Sequence, residues 1–213
     1  MDPQTLPPIP LAKRVFDLAL TIPGLIVISP LLLALALAVW IAHGWPVIFS
    51  QLRPGYGERL FPIFKFRSMT NACDAQGNLL PDAQRLTRVG RFLRAFSLDE
   101  LPEVINVLRG EMSLVGPRPL LPQYLERYSA EQARRHHMLP GITGWAQING
   151  RNALTWQEKF RLDVWYVDNW SLGLDIKILA LTMWKTLRRE GISQPGQATA
   201  EEFTGNEDPS GDG

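Results

Sequence analysis

Apolar residues are concentrated in one stretch, Val15 to Ala42, interrupted at Asp17, Pro23-Gly24 and Ser29-Pro30 and opened by Lys13-Arg14. Three readings compete for such a run. A signal peptide would use the basic start and a small-residue site such as Ala34-Leu35-Ala36. The apolar run continues past those alanines through Val39, Trp40 and Ile41, with no polar region around a cleavage site, which ranks this reading last. A single transmembrane helix has the length, since roughly 20 residues cross a bilayer. Against it, Pro30 removes a helical N–H and frees the Ile26 carbonyl near mid-depth, where an unsatisfied group is costly. The third reading is a helix-break-helix that enters and leaves by one face. Its arms, Arg14–Ser29 and Pro30–His43, would each be about 20–24 Å long, short of the roughly 30 Å hydrocarbon core. The Ser29 hydroxyl could satisfy part of the freed backbone. Basic residues on both flanks (Lys13 and Arg14 before; Arg53, Arg59, Lys65 and Arg67 after) favour this re-entrant form.

Beyond this stretch the period changes. Val47 to Gln51 and Leu60 to Phe66 read as short strands joined by Arg53-Pro54-Gly55-Tyr56-Gly57. Residues 71–84 read as a polar surface loop, and Arg85 to Arg94 as an extended basic segment. Leu101, Val104, Ile105 and Leu108 then recur at helical spacing and predict one packed apolar face. Tyr124 to Met138 reads as a helix ended by Pro140-Gly141-Ile142-Thr143-Gly144, and Asn149-Gly150-Arg151-Asn152 as a turn. Trp145, Trp156, Trp165, Trp170 and Trp184 fall among Lys and Arg, the pattern of amphipathic helices at a membrane interface, although buried tryptophans of a soluble helix give the same pattern. Asp175 is placed to cap a helix that ends near Lys185 to Arg189. The reading is an α-rich α+β monotopic membrane protein with a small β-hairpin. It comprises an irregular N-terminus (1–12), a re-entrant membrane element (13–43), a body (44–193) that holds the candidate site described next, and an acidic, disordered tail (194–213).

The candidate chemistry lies in Ser97-Leu98-Asp99-Glu100-Leu101-Pro102-Glu103. Free N–H groups at a helix start favour an anion, and Arg91 and Arg94 add positive charge nearby. A carboxylate among anion-binding groups is what attack on a phosphorus requires. Ser97-x-x-Glu100 is equally a capping box, with Asp99 suited to the first turn, and spacing alone favours that structural role. Arg118, between Pro117 and Pro119, has the fixed backbone that would pre-position a guanidinium for a phosphate or nucleotide, though a solvated arginine on a rigid turn fits as well.

Length allows one domain or a domain with an appendage. The net charge of +1 hides an asymmetry: up to Gly191 there are 22 basic against 16 acidic residues, a body of +6, which suits anionic lipid or phosphate substrates. Nucleic acid is disfavoured, because no basic block alternates with aromatics along a polar strand. One cysteine, Cys73, excludes an internal disulfide and fits a reducing compartment, and His43, His136 and His137 make no zinc pattern with it. If a metal is used, carboxylates and substrate phosphates would hold it, which points to magnesium.

Taken in order, the segments resemble the bacterial sugar transferase family, the monotopic phosphoglycosyl transferases. The resemblance runs from Lys13-Arg14-x-Phe16-Asp17 through Ser29-Pro30, Gln51-x-Arg53-Pro54-Gly55, Lys65-Phe66-Arg67-Ser68-Met69 and Ser97 to Pro102. It continues through Gly116-Pro117-Arg118-Pro119, Pro140 to Gly144 and Gly150-Arg151-Asn152 to Asp163-x-x-Tyr166. With one apolar segment, the chain is similar to the small members. The resemblance implies transfer of sugar-1-phosphate from a UDP-sugar to polyprenol phosphate, normally undecaprenyl phosphate, with release of UMP at the start of glycoconjugate assembly. It implies Asp99 as nucleophile through a phosphosugar-aspartyl intermediate, and Glu100 as the Mg2+ ligand. Arg94 and Lys65 would contact phosphate, Lys65 alternatively a carboxylate, and Arg118 and Arg151 would seat the uridine diphosphate. Ser29 and Pro30 would form the break of a re-entrant helix, on the cytoplasmic face of the bacterial inner membrane. Ala95-Phe96 and Glu103 depart from the common pattern and bear on donor choice. The sugar is open, an acetamido sugar being what the small members suggest, and so is oligomeric state, a homodimer included.

Overall fold

The computed structural model describes residues 6–150, 153–188 and 202–205. Its longest element is helix α1 (Leu11–His43), which contains Pro23 and Pro30 and is long and apolar enough to cross a membrane by length and composition. The two separate arms expected around Ser29-Pro30 are not formed. The Ser29 hydroxyl donates to the Ile26 carbonyl at 2.8 Å, the acceptor that Pro30 leaves without its amide, and the helix runs on. Gly44 ends it with φ at +68°, returning its N–H to the Trp40 carbonyl at 2.8 Å.

Both ends of α1 are docked on the rest of the chain. Near its start Lys13, Asp17 and Thr21, four residues apart and so on one face, are buried. Lys13 Nζ donates to Asp175 Oδ2 at 2.7 Å and to the Tyr166 hydroxyl at 3.0 Å. Asp17 accepts from Ser113 Oγ at 2.9 Å and the Leu114 N–H at 3.1 Å. Near its end Leu35 and Val39 join Phe66 and Leu93 in one apolar cluster, and His43 Nε2 lies 2.9 Å from Thr87 Oγ1. Between the two anchors Ile22, Ile26, Val27, Leu31 and Leu33 are exposed.

The expected hairpin is present: β1 (Ile48–Pro54) pairs antiparallel with β2 (Leu60–Phe66), from Ile48 opposite Phe66 to Pro54 opposite Leu60. Phe61 and Ile63 of β2 are buried against Val107 and Met112. After the short helix α2 (Asp82–Arg85), the basic segment read as extended is helix α3 (Arg88–Ala95). Thr87 caps it, accepting from the Gly90 N–H at 2.9 Å. A Cβ on Gly90 would lie 1.8 Å from the Ser68 carbonyl oxygen, so the missing side chain is what lets α3 lie against the end of the hairpin.

Next come α4 (Val104–Arg109) and β3 (Ser113–Val115), which pairs in parallel with β4 (Gly141–Thr143). The single helix expected over Tyr124 to Met138 is instead three short pieces: a 3₁₀ turn (Pro122–Arg127), α5 (Ala130–Ala133) and a second 3₁₀ turn (Arg134–His137). Tyr128 is extended, and Ser129 then caps α5 in a reciprocal box with Gln132. α6 (Trp145–Ile148), α7 (Trp156–Asp168) and α8 (Leu172–Arg188) complete the body. Val115, Met138, Ile148, Tyr166 and Ile178 form the core between them. Asp175 does not cap α8: Ser171 Oγ accepts from the Leu174 N–H at 3.2 Å, and the Asp175 side chain is buried on Lys13, Tyr166 and Trp170. Trp165 and Trp184 are exposed, as an interfacial role requires, whereas Trp145, Trp156 and Trp170 are half-buried against the core, as the alternative reading expects.

The tail expected to be disordered has an ordered anchor. Phe203 is buried among Tyr124, Tyr128, Trp156 and Phe160, its N–H donating to Tyr124 Oη at 3.1 Å. Arg127 donates to the Phe203 carbonyl and pairs with Glu202 at 3.0 Å.

Candidate functional site

The segment from Ser97 takes neither of the forms its spacing allows. Ser97 is left-handed (φ +53°), its side chain caps nothing, and the capping box with Glu100 does not form. Leu98–Glu103 winds as a 3₁₀ turn that runs directly into α4. The predicted apolar face is also displaced: Pro102, Glu103, Asn106 and Val107 are the buried positions, while Ile105 is exposed. Asn106 earns its burial by bonding the hairpin, accepting from the Phe64 N–H at 3.2 Å and donating to the Pro62 carbonyl at 2.7 Å.

Released from capping, Glu100 becomes the hub of a charge cluster. Lys65 Nζ donates to its Oε1 at 2.6 Å, and the Arg118 guanidinium donates to both oxygens, Nη1 to Oε2 at 3.2 Å and Nη2 to Oε1. Although burial opposes ionisation, Arg118 and Lys65 hold Glu100 well below the usual carboxylate range. Lys65 also reaches Glu103 at 3.1 Å. Burial and the Glu100 charge push the Glu103 carboxyl up to about 7, with the Lys65 ammonium on its Oε1 pulling the other way.

Asp99 sits beside this cluster. Burial first, then the Glu100 charge, raise its carboxyl above the ordinary value, while Lys65 and Arg94 pull it back down. Arg94 is oriented by Ser68, to whose Oγ its Nε donates at 3.0 Å. Arg118 is held as the flanking prolines suggest: Pro117 and Pro119 are buried and the Pro117 carbonyl accepts from the Gly141 N–H at 3.1 Å. The structure therefore brings together Lys65, Arg94, Asp99, Glu100 and Arg118. Arg151 lies outside the described residues, and Ser29 and Pro30 lie in the middle of α1, away from this cluster's contacts.

Two arginines absent from the predicted set support the site. Arg135 forms a buried pair with Asp163 (Nη2 to Oδ2, 2.7 Å) and donates from the same nitrogen to the Arg118 carbonyl at 2.7 Å. Arg53 donates to Gln51 at 2.7 Å, and its Nε is buried without a partner among the described residues. The Asp163-x-x-Tyr166 spacing and the Gln51-x-Arg53 run were visible in the chain, but neither spacing names Arg135 as the partner of Asp163. A cleft of about 390 Å³ opens beside the cluster, lined by Glu100, Arg118, Gln147, Trp156, Lys159 and Thr182 among others. Asp99 adjoins this cleft through Glu100 and does not itself line it. Among the described residues, no three His, Cys, Asp or Glu side chains form a ready metal cage.

The arrangement joins a docked, apolar helix to a carboxylate cluster neutralised by cations, a design suited to phosphate chemistry at a membrane surface. The sequence profile of the bacterial sugar transferase family matches residues 9–189, and the chain belongs to that family. The uncharacterized sugar transferase EpsL of Bacillus subtilis is 56% identical over 198 residues, covering 93% of this chain and 98% of the relative. The undecaprenyl-phosphate glucose phosphotransferase of Komagataeibacter xylinus is 46% identical over 187 residues, covering 81% of this chain and 35% of its own length. The undecaprenyl-phosphate galactose phosphotransferase of Salmonella typhimurium is 42% identical over 196 residues, covering 84% of this chain and 41% of its own. The chain thus spans less than half of these two longer relatives.

Proposed function

We propose that the protein is a phosphoglycosyl transferase that moves sugar-1-phosphate from a UDP-sugar to polyprenol phosphate, undecaprenyl phosphate being the acceptor, and releases UMP. The observation that carries this reading is Asp99: a desolvated carboxyl next to Lys65 and Arg94, adjoining the Glu100–Arg118 pair at a cleft. In the first step an Asp99 oxygen attacks the sugar-bearing phosphorus. The bond to the UMP oxygen breaks and UMP leaves with the electron pair. In the second step a phosphate oxygen of the polyprenol attacks the same phosphorus, and the bond to Asp99 breaks, regenerating the carboxylate. Two steps let a soluble donor and a lipid acceptor use one centre in turn. Arg94, Lys65 and Arg118 offset charge on the phosphate oxygens.

Glu100 fits magnesium in donor chemistry, offering a hard, ionised oxygen, with its Oε2 accepting one hydrogen bond from Arg118. Substrate phosphates and water would complete the shell, and the ion would supply further neutralisation of the transferred phosphoryl group. For α1, we propose re-entry from the cytoplasmic face: both ends dock on one body, the exposed apolar middle faces lipid, and the flanks are basic on both sides.

The test is UMP release by the protein in nanodiscs, with magnesium, undecaprenyl phosphate and a panel of UDP-sugars, alongside Asp99→Asn. Lipid-dependent UMP from one donor, lost in Asp99→Asn, supports the reaction and names the sugar. UMP without any need for lipid indicates a hydrolase, and undiminished turnover in Asp99→Asn rejects the nucleophile.

A further inference from the structure

One side chain in the cleft has no role in the cluster above and, among the described residues, no partner of its own. Gln147, on α6, lines the cleft on a wall shared with Thr143, Thr182 and Thr186, separate from the segment that carries Glu100. Its Oε1 and Nε2 are both buried from solvent, and among the described residues neither has a hydrogen-bond partner. Buried amides are normally satisfied, and one left with both a donor and an acceptor open is complementary to a ligand with the opposite pair. The neighbouring hydroxyls do not compete: Thr143 and Thr182 are bonded to each other at 2.7 Å, and Thr182 also donates to the Ile178 carbonyl at 2.8 Å. Room for the amide comes from Gly144, where a Cβ would lie 2.6 Å from Gln147 Oε1 and 2.1 Å from the Gly116 carbonyl oxygen.

We infer that Gln147 reads the base of the nucleotide donor, Oε1 accepting from uracil N3–H and Nε2 donating to O4. A side-chain amide pairs in this way only with a donor and an acceptor on one edge. The N–H and carbonyl of an acetamido sugar point in opposite directions across a trans amide, so one Gln cannot pair with both. The same amide turned over would fit cytosine, and the choice of uracil rests on the UDP-sugar reading above. Gln147 is therefore a specificity-determining residue, acting on nucleotide binding and not on phosphorus chemistry.

The experiment is calorimetric titration of UMP and N3-methyl-UMP into the full chain in nanodiscs, for the wild type, Gln147→Ala and Gln147→Met. N3-methylation removes the donor that Gln147 Oε1 would accept. The wild type is expected to prefer UMP by about tenfold or more, and both variants to bind the two nucleotides within about twofold of each other. Gln147→Met retains the length of the side chain, so agreement between the variants excludes a simple collapse of the wall. Variants that keep the wild-type preference, or a wild type that binds both nucleotides equally, overturn the assignment while leaving the transferase reading intact. A wild type that binds neither overturns the cleft as a nucleotide site, and the inference with it.

Discussion

The Lys13 ammonium and the Asp175 carboxylate meet at 2.7 Å with neither side chain exposed, tying the start of α1 to the start of α8 across 162 residues. Asp175 also accepts from the Tyr166 hydroxyl at 2.7 Å and from Trp170 Nε1 at 3.1 Å. The Tyr166 hydroxyl oxygen also lies 3.1 Å from the Val115 carbonyl oxygen of β3. Helix α1 is thus fastened to the core through one polar knot. Lys13→Met would strand a buried carboxylate and is expected to cost about 3–5 kcal/mol in denaturant unfolding. The double variant Lys13→Met/Asp175→Asn should recover a large part of that loss, and a double variant no better than the single one would show that the pair is not coupled.

The pH dependence of turnover should report Asp99. The attack proposed for Asp99 requires the ionised form, and burial beside Glu100 raises the pKa, so the acid limb of kcat/KM is expected above the ordinary aspartate value of 3.8. Arg94 lowers the pKa of Asp99, so Arg94→Gln should move that limb to higher pH as well as reduce the rate. A limb that stays in place, measured over matched buffers, would separate Arg94 from the nucleophile.

Glu103 should make stability fall as pH rises. Below about 4.5 the folded and unfolded chains both hold this proton. Between there and about 7 the unfolded chain has released it and the native one has not, so stability declines through that window and the contribution is gone above it. Glu103→Gln mimics the neutral form. It is expected to leave thermal unfolding nearly unchanged at pH 5 and to stabilise the protein by about 1–3 kcal/mol at pH 8. Equal effects at both pH values would show that Glu103 is charged throughout.

Removing the tail anchor should loosen the aromatic cluster behind the cleft. Phe203→Ala deletes a buried ring in contact with four others and is expected to cost about 2–4 kcal/mol. Trp156, which contacts Phe203 and lines the cleft, should then become more solvated, seen as a red shift in tryptophan emission. An unshifted spectrum with unchanged stability would mean that the tail does not dock in solution.

The hairpin was legible because strand alternation and a Pro-Gly turn are local signals, and Arg118 because prolines fix their own backbone. Ser97-x-x-Glu100 misled because the spacing of a capping box does not distinguish a capped α-helix from a 3₁₀ turn entered through a left-handed residue. The buried side of α4 was misassigned because Glu103 and Asn106 are polar, and only their contacts to Lys65 and to the β2 backbone explain their burial. In the 124–138 region the Ser129-x-x-Gln132 box was readable and marks the restart of a helix after Tyr128. Phe203 was a lone aromatic in an acidic stretch, a signal that composition averages away. Gln147 has no local signature at all, since its meaning lies in the two partners it lacks.

The anchoring of α1 at both ends has a consequence for what happens after the reaction. On the re-entrant reading proposed above, a protein moored this way would dip into one leaflet and offer no passage between the two. The carrier that the proposed reaction loads would therefore keep its sugar on the side where the nucleotide was consumed. Delivering that sugar to the opposite face would then fall to a separate translocating protein that accepts a diphosphate-linked lipid as its cargo.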